Sequence, residues 1–329
     1  MRIPFIPQPQ FGSGSKWPFG ATVCRAWNGL AWTVGVLLLL PMGLRAQQEV
    51  MISQYLFNGL LLNPAYAGSH PYLSTSALHR NQWMGITGAP TSQILAADGP
   101  VAGDALGIGV LAQRDQIGIS TQMDISINVC YRMRMPVGHW AWGLRVGGTN
   151  YRANLADAVI WDVGDPAYEA GLAQAFVPKV GVGTYYHNER FYLGLSVPVA
   201  YAWEEPLHAG AGRIFEPHGY FQAGAVFHSS RDLTLKPSFL VKYTQAAPAE
   251  VDFNLHAFIR NKFCIGAGYR TGAMWVAMAE FQVTPQLRLG YAHDFTTTPL
   301  QDLQSGTHEI MLGWDWGPSL IKSRSPRYF

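Results

Sequence analysis

The chain has 329 residues, a formal net charge of +2 and only 13% charged residues, about half the usual share for a globular protein. So little charge disfavours a large soluble protein, and the near-neutral balance gives no indication of nucleic-acid binding. Beyond residue 46 no stretch reaches the roughly twenty continuous apolar residues of a membrane helix, so the composition, with 35 glycines and 13% aromatics, indicates a membrane β-barrel.

Residues 1–46 carry the pattern of an export signal. Arg25 precedes an apolar core at residues 30–40, and Ala46 precedes a polar stretch, which predicts cleavage after Ala46. A single membrane anchor is the alternative, but the core is short and polar residues follow it at once. We therefore expect residues 1–46 to be a signal peptide.

Residues 47–71 form an irregular segment ahead of the first strand. Helix is disfavoured at Asn63, because it precedes Pro64 and the residue before proline is pushed toward extended conformations. Gly68 then offers a turn. We expect this segment either to lie in the periplasm or to plug the barrel.

From residue 72 to residue 316 the hydrophobic period is two, which is the period of a strand. Residues 123–132 show it plainly, with apolar side chains on one face and polar side chains on the other. Residues 233–243 and 251–260 repeat the pattern. A soluble β-sandwich also alternates, so the period alone does not settle the topology.

The number and length of these runs predict an antiparallel barrel of about fourteen strands, each near the nine to eleven residues needed to cross a bilayer at a slant. The predicted strands begin near Leu73, Thr91, Ala105, Gln122, His139, Val177, Phe191, Gly219, Leu233, Val251, Phe263, Ala273, Gln286 and Gly306.

The joins between the predicted strands alternate in length, as barrel strands require. The short joins lie at residues 135–138, 187–189, 229–232, 261–262 and 284–285. The long joins lie at residues 150–176, 201–218 and 295–305. With the N-terminus inside, all long joins fall on one side, as in barrels with short periplasmic turns and long extracellular loops.

Aromatic residues near predicted strand ends suit the headgroup layer of a membrane, and core packing is an equal alternative for each ring. They are Trp83, Tyr131, Trp140, Tyr151, Tyr186, Tyr192, Tyr243, Trp314 and Trp316. Two glycine-rich runs, 143–148 and 181–183, lack the strand-to-helix context of a phosphate-binding loop. We interpret them as strand glycines that let the wall and loops pack closely.

The sequence lacks the common catalytic and metal-binding motifs. It has no G-x-S-x-G, H-E-x-x-H, Walker or C-x-x-C pattern, and Cys130 and Cys264 match no zinc spacing. A metal site among His208, Glu216 and His218 fits no usual ligand spacing. Polar lining of the lumen is favoured over a lipid-hydrolase fragment for two histidine–aspartate pairs, His256 with Asp252 and His293 with Asp294. We therefore expect no catalytic residue, cofactor or metal.

The chain after residue 46 resembles one known family over almost its whole length. The matching positions are Gln54-Tyr55, Asn63-Pro64-Ala65-Tyr66-Ala67-Gly68, Arg80-Asn81-Gln82-Trp83, Gly88-Ala89-Pro90, Gly194-Leu195-Ser196-Val197-Pro198, Lys236-Pro237-Ser238, Gly290-Tyr291-Ala292-His293-Asp294, Gly306-Thr307-His308-Glu309-Ile310 and Ser325-Pro326-Arg327-Tyr328-Phe329. On these positions the chain resembles the PorP/SprF outer-membrane proteins of the type IX secretion system of Bacteroidota. It departs at Gly59 and His79, where the family has proline and tyrosine.

The resemblance implies a non-enzymatic component of the cell outer membrane that docks secretion machinery, a cargo protein or both, with gliding adhesins as the cargo of some relatives. The implied partners are the periplasmic ring and peptidoglycan-associated components, a secreted cargo protein and outer-membrane lipid, without nucleic acid. A general or ligand-specific pore and an outer-membrane lipid hydrolase remain as alternatives.

Two groups of residues are the candidates for interaction. The first group could hold the N-terminal segment in the barrel or meet a partner, and comprises Asn63, Pro64, Tyr66, Arg80, Asn81, Gln82 and Trp83. The second lies in a predicted periplasmic tail, residues 317–329, as a partner contact or assembly signal, and comprises Arg327, Tyr328 and Phe329.

Overall fold

Antiparallel strands form the body of the molecule in the computed structural model, which describes residues 52–103, 105–155, 172–203, 215–245, 247–272 and 274–317, without the side chains of Ala102 and Leu172. The strands are β1 (Leu73–Asn81), β2 (Thr91–Ala102), β3 (Leu106–Ile117), β4 (Ser120–Arg134), β5 (His139–Asn154), β6 (Leu172–His187), β7 (Phe191–Ala202), β8 (Gly219–Ala225), β9 (Phe227–His228), β10 (Leu233–Thr244), β11 (Ala247–Ile259), β12 (Phe263–Arg270), β13 (Met274–Gln282), β14 (Leu287–Thr296) and β15 (Thr307–Trp316).

The strands close into a ring with fourteen positions. Each strand pairs with the next along the chain, except that β8 pairs with β10, and β15 returns to pair with β1, with Trp316 opposite Leu73. Strand β9 continues β8 past a break at Val226, since both pair with β10. The predicted barrel of about fourteen strands is confirmed, and closure removes the open sheet edges that hydrocarbon would penalise.

Side chains alternate between an apolar outer face and a polar inner face. In β4, Ile125 and Ile127 are each 52% exposed, whereas Ser126 and Asn128 are 1% and 0% exposed. The same alternation runs through β10, β11 and β12. Apolar residues point outward and polar residues inward, which is the pattern of a barrel surrounded by lipid.

Two predictions from the sequence need correction. The predicted long join 150–176 is shorter at both ends, because β5 and β6 stay paired up to Asn154 opposite Leu172. Backbone pairing does not require apolar side chains. In addition, the Tyr151 hydroxyl oxygen of β5 lies 3.1 Å from the Ser120 hydroxyl oxygen of β4. Tyr192 lies in the lumen and not at the headgroup layer, since alternation from the outward Phe191 turns it inward.

The joins define two rims, as predicted. We call the end that carries joins 103–105, 135–138, 188–190, 229–232, 260–262 and 283–286 the short-turn rim. We call the end that carries joins 82–90, 118–119, 155–171, 203–218, 245–246, 271–273 and 297–306 the long-loop rim. By the length rule we expect the short-turn rim on the periplasmic side.

The segment before β1 lies inside the ring, and we call residues 52–70 the plug. It forms three short 3-10 turns, η1 (Gln54–Phe57), η2 (Gly59–Leu61) and η3 (Pro64–Tyr66). Leu60 and Ala67 are fully buried and pack against inward side chains of the wall. Among the described residues, no helix has the length and apolar character needed to cross a membrane.

Candidate functional site

The contact surface between the plug and the wall is the best-defined site of the molecule. The plug begins toward the long-loop rim, where the Ser53 hydroxyl donates to Asp294 Oδ1 at 2.7 Å near the end of β14. It leaves toward the short-turn rim, where the Gly68 N–H donates to Asp98 Oδ2 at 2.8 Å in the second half of β2. The plug therefore runs along most of the lumen.

The first anchor is a buried cluster around Glu309. Its carboxylate accepts the backbone N–H groups of Ser53 at 2.7 Å and Gln54 at 3.0 Å, at the start of η1. Arg80 forms ion pairs with Glu309 and with Asp294, the latter at 2.9 Å. All three charged side chains are at most 1% exposed. Buried charges are tolerated when they are paired, so the plug start is held by a compensated network.

The second anchor lies halfway along the plug. The Arg145 guanidinium donates to the carbonyls of Leu60 and Leu61 and, through Nε, to Asn128 Oδ1 at 2.7 Å. A short 3-10 turn leaves carbonyls without partners inside the turn. Arg145 satisfies them, because its fork of N–H donors reaches several acceptors at once.

The third anchor contains the residues predicted from the first half of the matched motif. Asn63 Oδ1 accepts the Ala65 N–H at 2.9 Å and caps η3, while Nδ2 donates to the Thr184 carbonyl at 2.9 Å. Pro64 occupies the first position of η3, where its missing N–H costs nothing. Tyr66 packs edge-on against Tyr185, with ring centroids 5.7 Å apart.

Strand glycines give the plug its room. A Cβ at Gly143 would meet the backbone of Pro64 and Ala65, and a Cβ at Gly183 would meet the Asn63 side chain and the Pro64 ring. A Cβ at Gly107 would meet the Ala67 carbonyl. The sequence suggested close packing at two of these runs, and the structure identifies the plug as the partner.

Another side of the plug faces strands β11 and β12. The Asn254 Nδ2 donates to the Tyr55 hydroxyl at 2.8 Å, and Phe57 meets the His256 ring edge-on at 5.5 Å. Arg270 makes two bonds of 2.8 Å to Asp252 beside a cavity of about 50 Å³.

The Arg80-Asn81-Gln82-Trp83 block divides between two environments. Arg80 points into the lumen, whereas Gln82 and Trp83 lie in the β1–β2 join at the long-loop rim. Trp83 has φ +51°, and its N–H donates to Thr307 Oγ1 at 3.1 Å. Asn81, the last residue of β1, is half-buried opposite Thr91. One part of the motif therefore holds the plug and the other fastens the rim.

Other residues considered from the sequence form no site in the described part of the chain. His256 is buried in the lumen, whereas His293 lies on the outer side of β14 and its neighbour Asp294 on the inner side. His218 Nδ1 lies 2.8 Å from the Glu216 carbonyl, and the described residues hold no cluster of three metal-ligating side chains. Both described cysteines are free and buried.

Several predicted features lie outside the described residues. They are the signal peptide 1–46, His208, and the tail residues Arg327, Tyr328 and Phe329.

The sequence did not indicate anchoring roles for Asp294, Glu309 or Arg145. Glu309 was noted only as a matching position of the resemblance, and Asp294 was noted there and as the neighbour of His293 in the possible lipid-hydrolase fragment. What the sequence did show is that each charged residue lies at an inward-facing position of a strand whose outward-facing neighbours are apolar. That signal gives the face of a residue without giving its partner.

Replacing Asn63 by alanine is expected to loosen the part of the plug around η3. The change removes the cap of η3 and the bond to Thr184, which together contribute about 1–2 kcal/mol. Hydrogen exchange at the amides of η3 should accelerate while the strand amides stay protected. Asn81→Ala is the control, and equal exchange in both variants would contradict the anchoring role.

A closed antiparallel ring with an apolar outer face and a polar lumen defines a transmembrane β-barrel of the outer-membrane type. The chain belongs to the family described as type IX secretion system membrane protein PorP/SprF, whose model matches residues 44–314. The family resemblance noted in the sequence is thereby confirmed. Fold and family together point to the outer membrane and to a component of a secretion system.

Solved structures of other barrels are similar in outline. The Acinetobacter baumannii outer membrane protein Omp33 is 8% identical over 76% of this chain and 100% of its own, with a TM-score of 0.45. The Ralstonia pickettii toluene transporter TbuX is 8% identical over 78% and 92%, with a TM-score of 0.48. A KdgM porin is 7% identical over 74% and 99%, with a TM-score of 0.38. Likeness at this level carries no argument about function. No curated protein matches the chain.

Proposed function

We propose that this chain is a plugged docking barrel of the type IX secretion system, which holds other proteins at its rims and passes nothing through its lumen. A secreted cargo protein is assigned to the long-loop rim. The periplasmic ring and peptidoglycan-associated components are assigned to the short-turn rim. The proposed role is non-enzymatic, and export follows the predicted signal at residues 1–46.

The observation that carries this proposal is the occupied lumen. Three anchors hold the plug at successive heights, and the cavity beside Tyr55 measures about 50 Å³. That space suits a few water molecules and is far too small for a protein chain. A barrel filled in this way supports contact at its rims better than it supports the pore alternative.

A pull-down from gently solubilised outer membrane tests the docking role. The tagged full-length protein is expected to retain secretion-ring components or one large surface protein, identified by mass spectrometry. Purified protein in planar bilayers is expected to be silent. Recovery of the barrel alone together with steady ion conductance would favour the pore.

Replacing Trp83 by alanine is expected to weaken cargo binding about thirtyfold without opening the lumen. Trp83 lies at the long-loop rim, outside the plug contacts. A large aromatic at an interface centre commonly contributes about 2 kcal/mol or more to binding. The measurement is the amount of surface protein recovered in the pull-down. Trp142→Ala removes a 53% exposed ring from the lipid face and is the matched control.

A further inference from the structure

Three neighbouring turns of the short-turn rim concentrate basic side chains, and we call this surface the basic arc. The turns are 188–190, 229–232 and 260–262, which close successive hairpins of the ring. Their exposed basic side chains are Arg190, Arg231, Arg260 and Lys262. The same turns hold two exposed acidic side chains, Glu189 and Asp232.

The basic arc occupies one sector of one rim. The flanking short turns, 135–138 and 283–286, contain no charged residue. At the opposite rim, joins 82–90 and 118–119 are uncharged and join 297–306 holds a single acid, Asp302. Basic residues in turns are therefore not a general property of the described joins.

Backbone hydrogen bonds tie the turns of the basic arc to the neighbouring strands and, between Arg260 and Asp232, to one another. The Val226 N–H donates to the Arg190 carbonyl at 2.7 Å, and the Arg260 N–H donates to the Asp232 carbonyl at 2.8 Å. Lys262 is tied to the next hairpin, because its carbonyl accepts the Gln282 N–H at 2.8 Å. The backbones of these turns are thus held in place at the rim.

Arg260 occupies a strained position within the basic arc. Arg260 and Asn261 have φ +51° and +53° in a tight turn closed by the Lys262 N–H on the Ile259 carbonyl at 3.0 Å. Glycine or asparagine is the usual residue at the first such position, because most other side chains are strained in the left-handed conformation. The Arg260 side chain is 73% exposed and its Nε lies 3.6 Å from Asp232. Strain kept at an exposed position points to a function of the side chain.

Aromatic rings place the basic arc at the membrane surface. Phe191 follows Arg190 directly, and Phe263 follows Lys262; these rings are 39% and 50% exposed on the outer face. Phe263 also stacks on Phe281, with centroids 4.7 Å apart. Outward aromatic rings at strand ends form girdles that flank the apolar band of a membrane barrel. The adjoining cationic groups therefore lie level with lipid phosphates.

We propose that the basic arc binds the phosphate groups of anionic phospholipids in the periplasmic leaflet. Guanidinium groups bind phosphate oxygens in pairs, and each cation near an anionic surface strengthens the attraction. Lipid binding at this rim is independent of the docking role, since it requires no other protein.

Native mass spectrometry of the purified full-length protein tests the proposal. The protein in detergent receives equal amounts of phosphatidylglycerol and phosphatidylcholine, and the retained lipids are counted. Wild type is expected to prefer phosphatidylglycerol. In the double variant Arg190→Gln/Lys262→Gln, the ratio of bound phosphatidylglycerol to bound phosphatidylcholine should be about tenfold lower. The matched control, Arg114→Gln/Arg152→Gln, removes two exposed arginines near the opposite rim and should keep it.

Arg260→Asn separates binding from stability. Asparagine tolerates the left-handed conformation, so this variant should unfold at the same or a higher temperature while lipid preference falls several-fold. An unchanged lipid preference in both arc variants, or an equal loss in the control, would overturn the proposal. Intact lipid preference with loss of co-purifying secretion components would assign the basic arc to protein docking and overturn it as well.

Discussion

Replacing Arg80 by methionine is expected to release the start of the plug and to lower the stability of the barrel by about 3–5 kcal/mol, the usual cost of removing one partner from a buried charge cluster. The variant leaves Asp294 and Glu309 together in the lumen without a cation. Their repulsion disturbs the carboxylate that holds Ser53 and Gln54. The temperature at which the folded band disappears from gels should fall, and bilayers should show channel openings.

A second substitution should partly restore the Arg80 variant. Arg80→Met/Asp294→Asn leaves one carboxylate, so the repulsion between two unpaired negative charges is removed. Arg152→Met is the control, since this exposed arginine should change stability by no more than about 0.5 kcal/mol. A single variant as stable and silent as wild type would show that the cluster does not hold the plug.

Replacing Gly143 by valine is the second change with a large expected effect. A Cβ at this position would overlap the backbone of Pro64 and Ala65, so the part of the plug around η3 must be displaced. Valine favours a strand, so the wall itself should persist. The expected result is a folded barrel with new conductance and rapid proteolysis within the plug, measured in bilayers and by limited digestion.

Gly219→Val is the matched control for this experiment. Gly219 lies in β8, and the nearest heavy atom to an added Cβ there is the Tyr243 carbonyl oxygen at 3.8 Å. The control should stay closed and resist the protease. Equal behaviour of the two valine variants would mean that the plug does not depend on the room at Gly143.

Alternation along single strands explains how much of the fold could be predicted. Residues 123–132 show their outward and inward faces in the sequence itself, and join lengths order the hairpins. Strand ends were less accurate where pairing continues past the apolar band, as between Asn154 and Leu172. Backbone groups can pair there without leaving a hydrophobic pattern for sequence analysis to detect.

The anchors of the plug could not be predicted in the same way. Arg80 and Glu309 lie 229 residues apart, and Ser53 and Glu309 lie 256 apart. Such pairs depend on ring closure and on the path of an irregular segment, and neither has a period. Asn63 was identified through its motif, yet its bond to Thr184 required the structure.

The direction of the plug has a consequence for the order of assembly. The plug precedes β1, but its first anchor belongs to β14 and β15, the last strands to be synthesised. Ser53 and Gln54, near the start of the plug, can therefore be held only after β14 and β15 are in place. A chain interrupted before Asp294 can pair many hairpins and still cannot fix Ser53 in place. The first anchor therefore forms only with the complete wall, whereas the second and third anchors need only β4, β5 and β6.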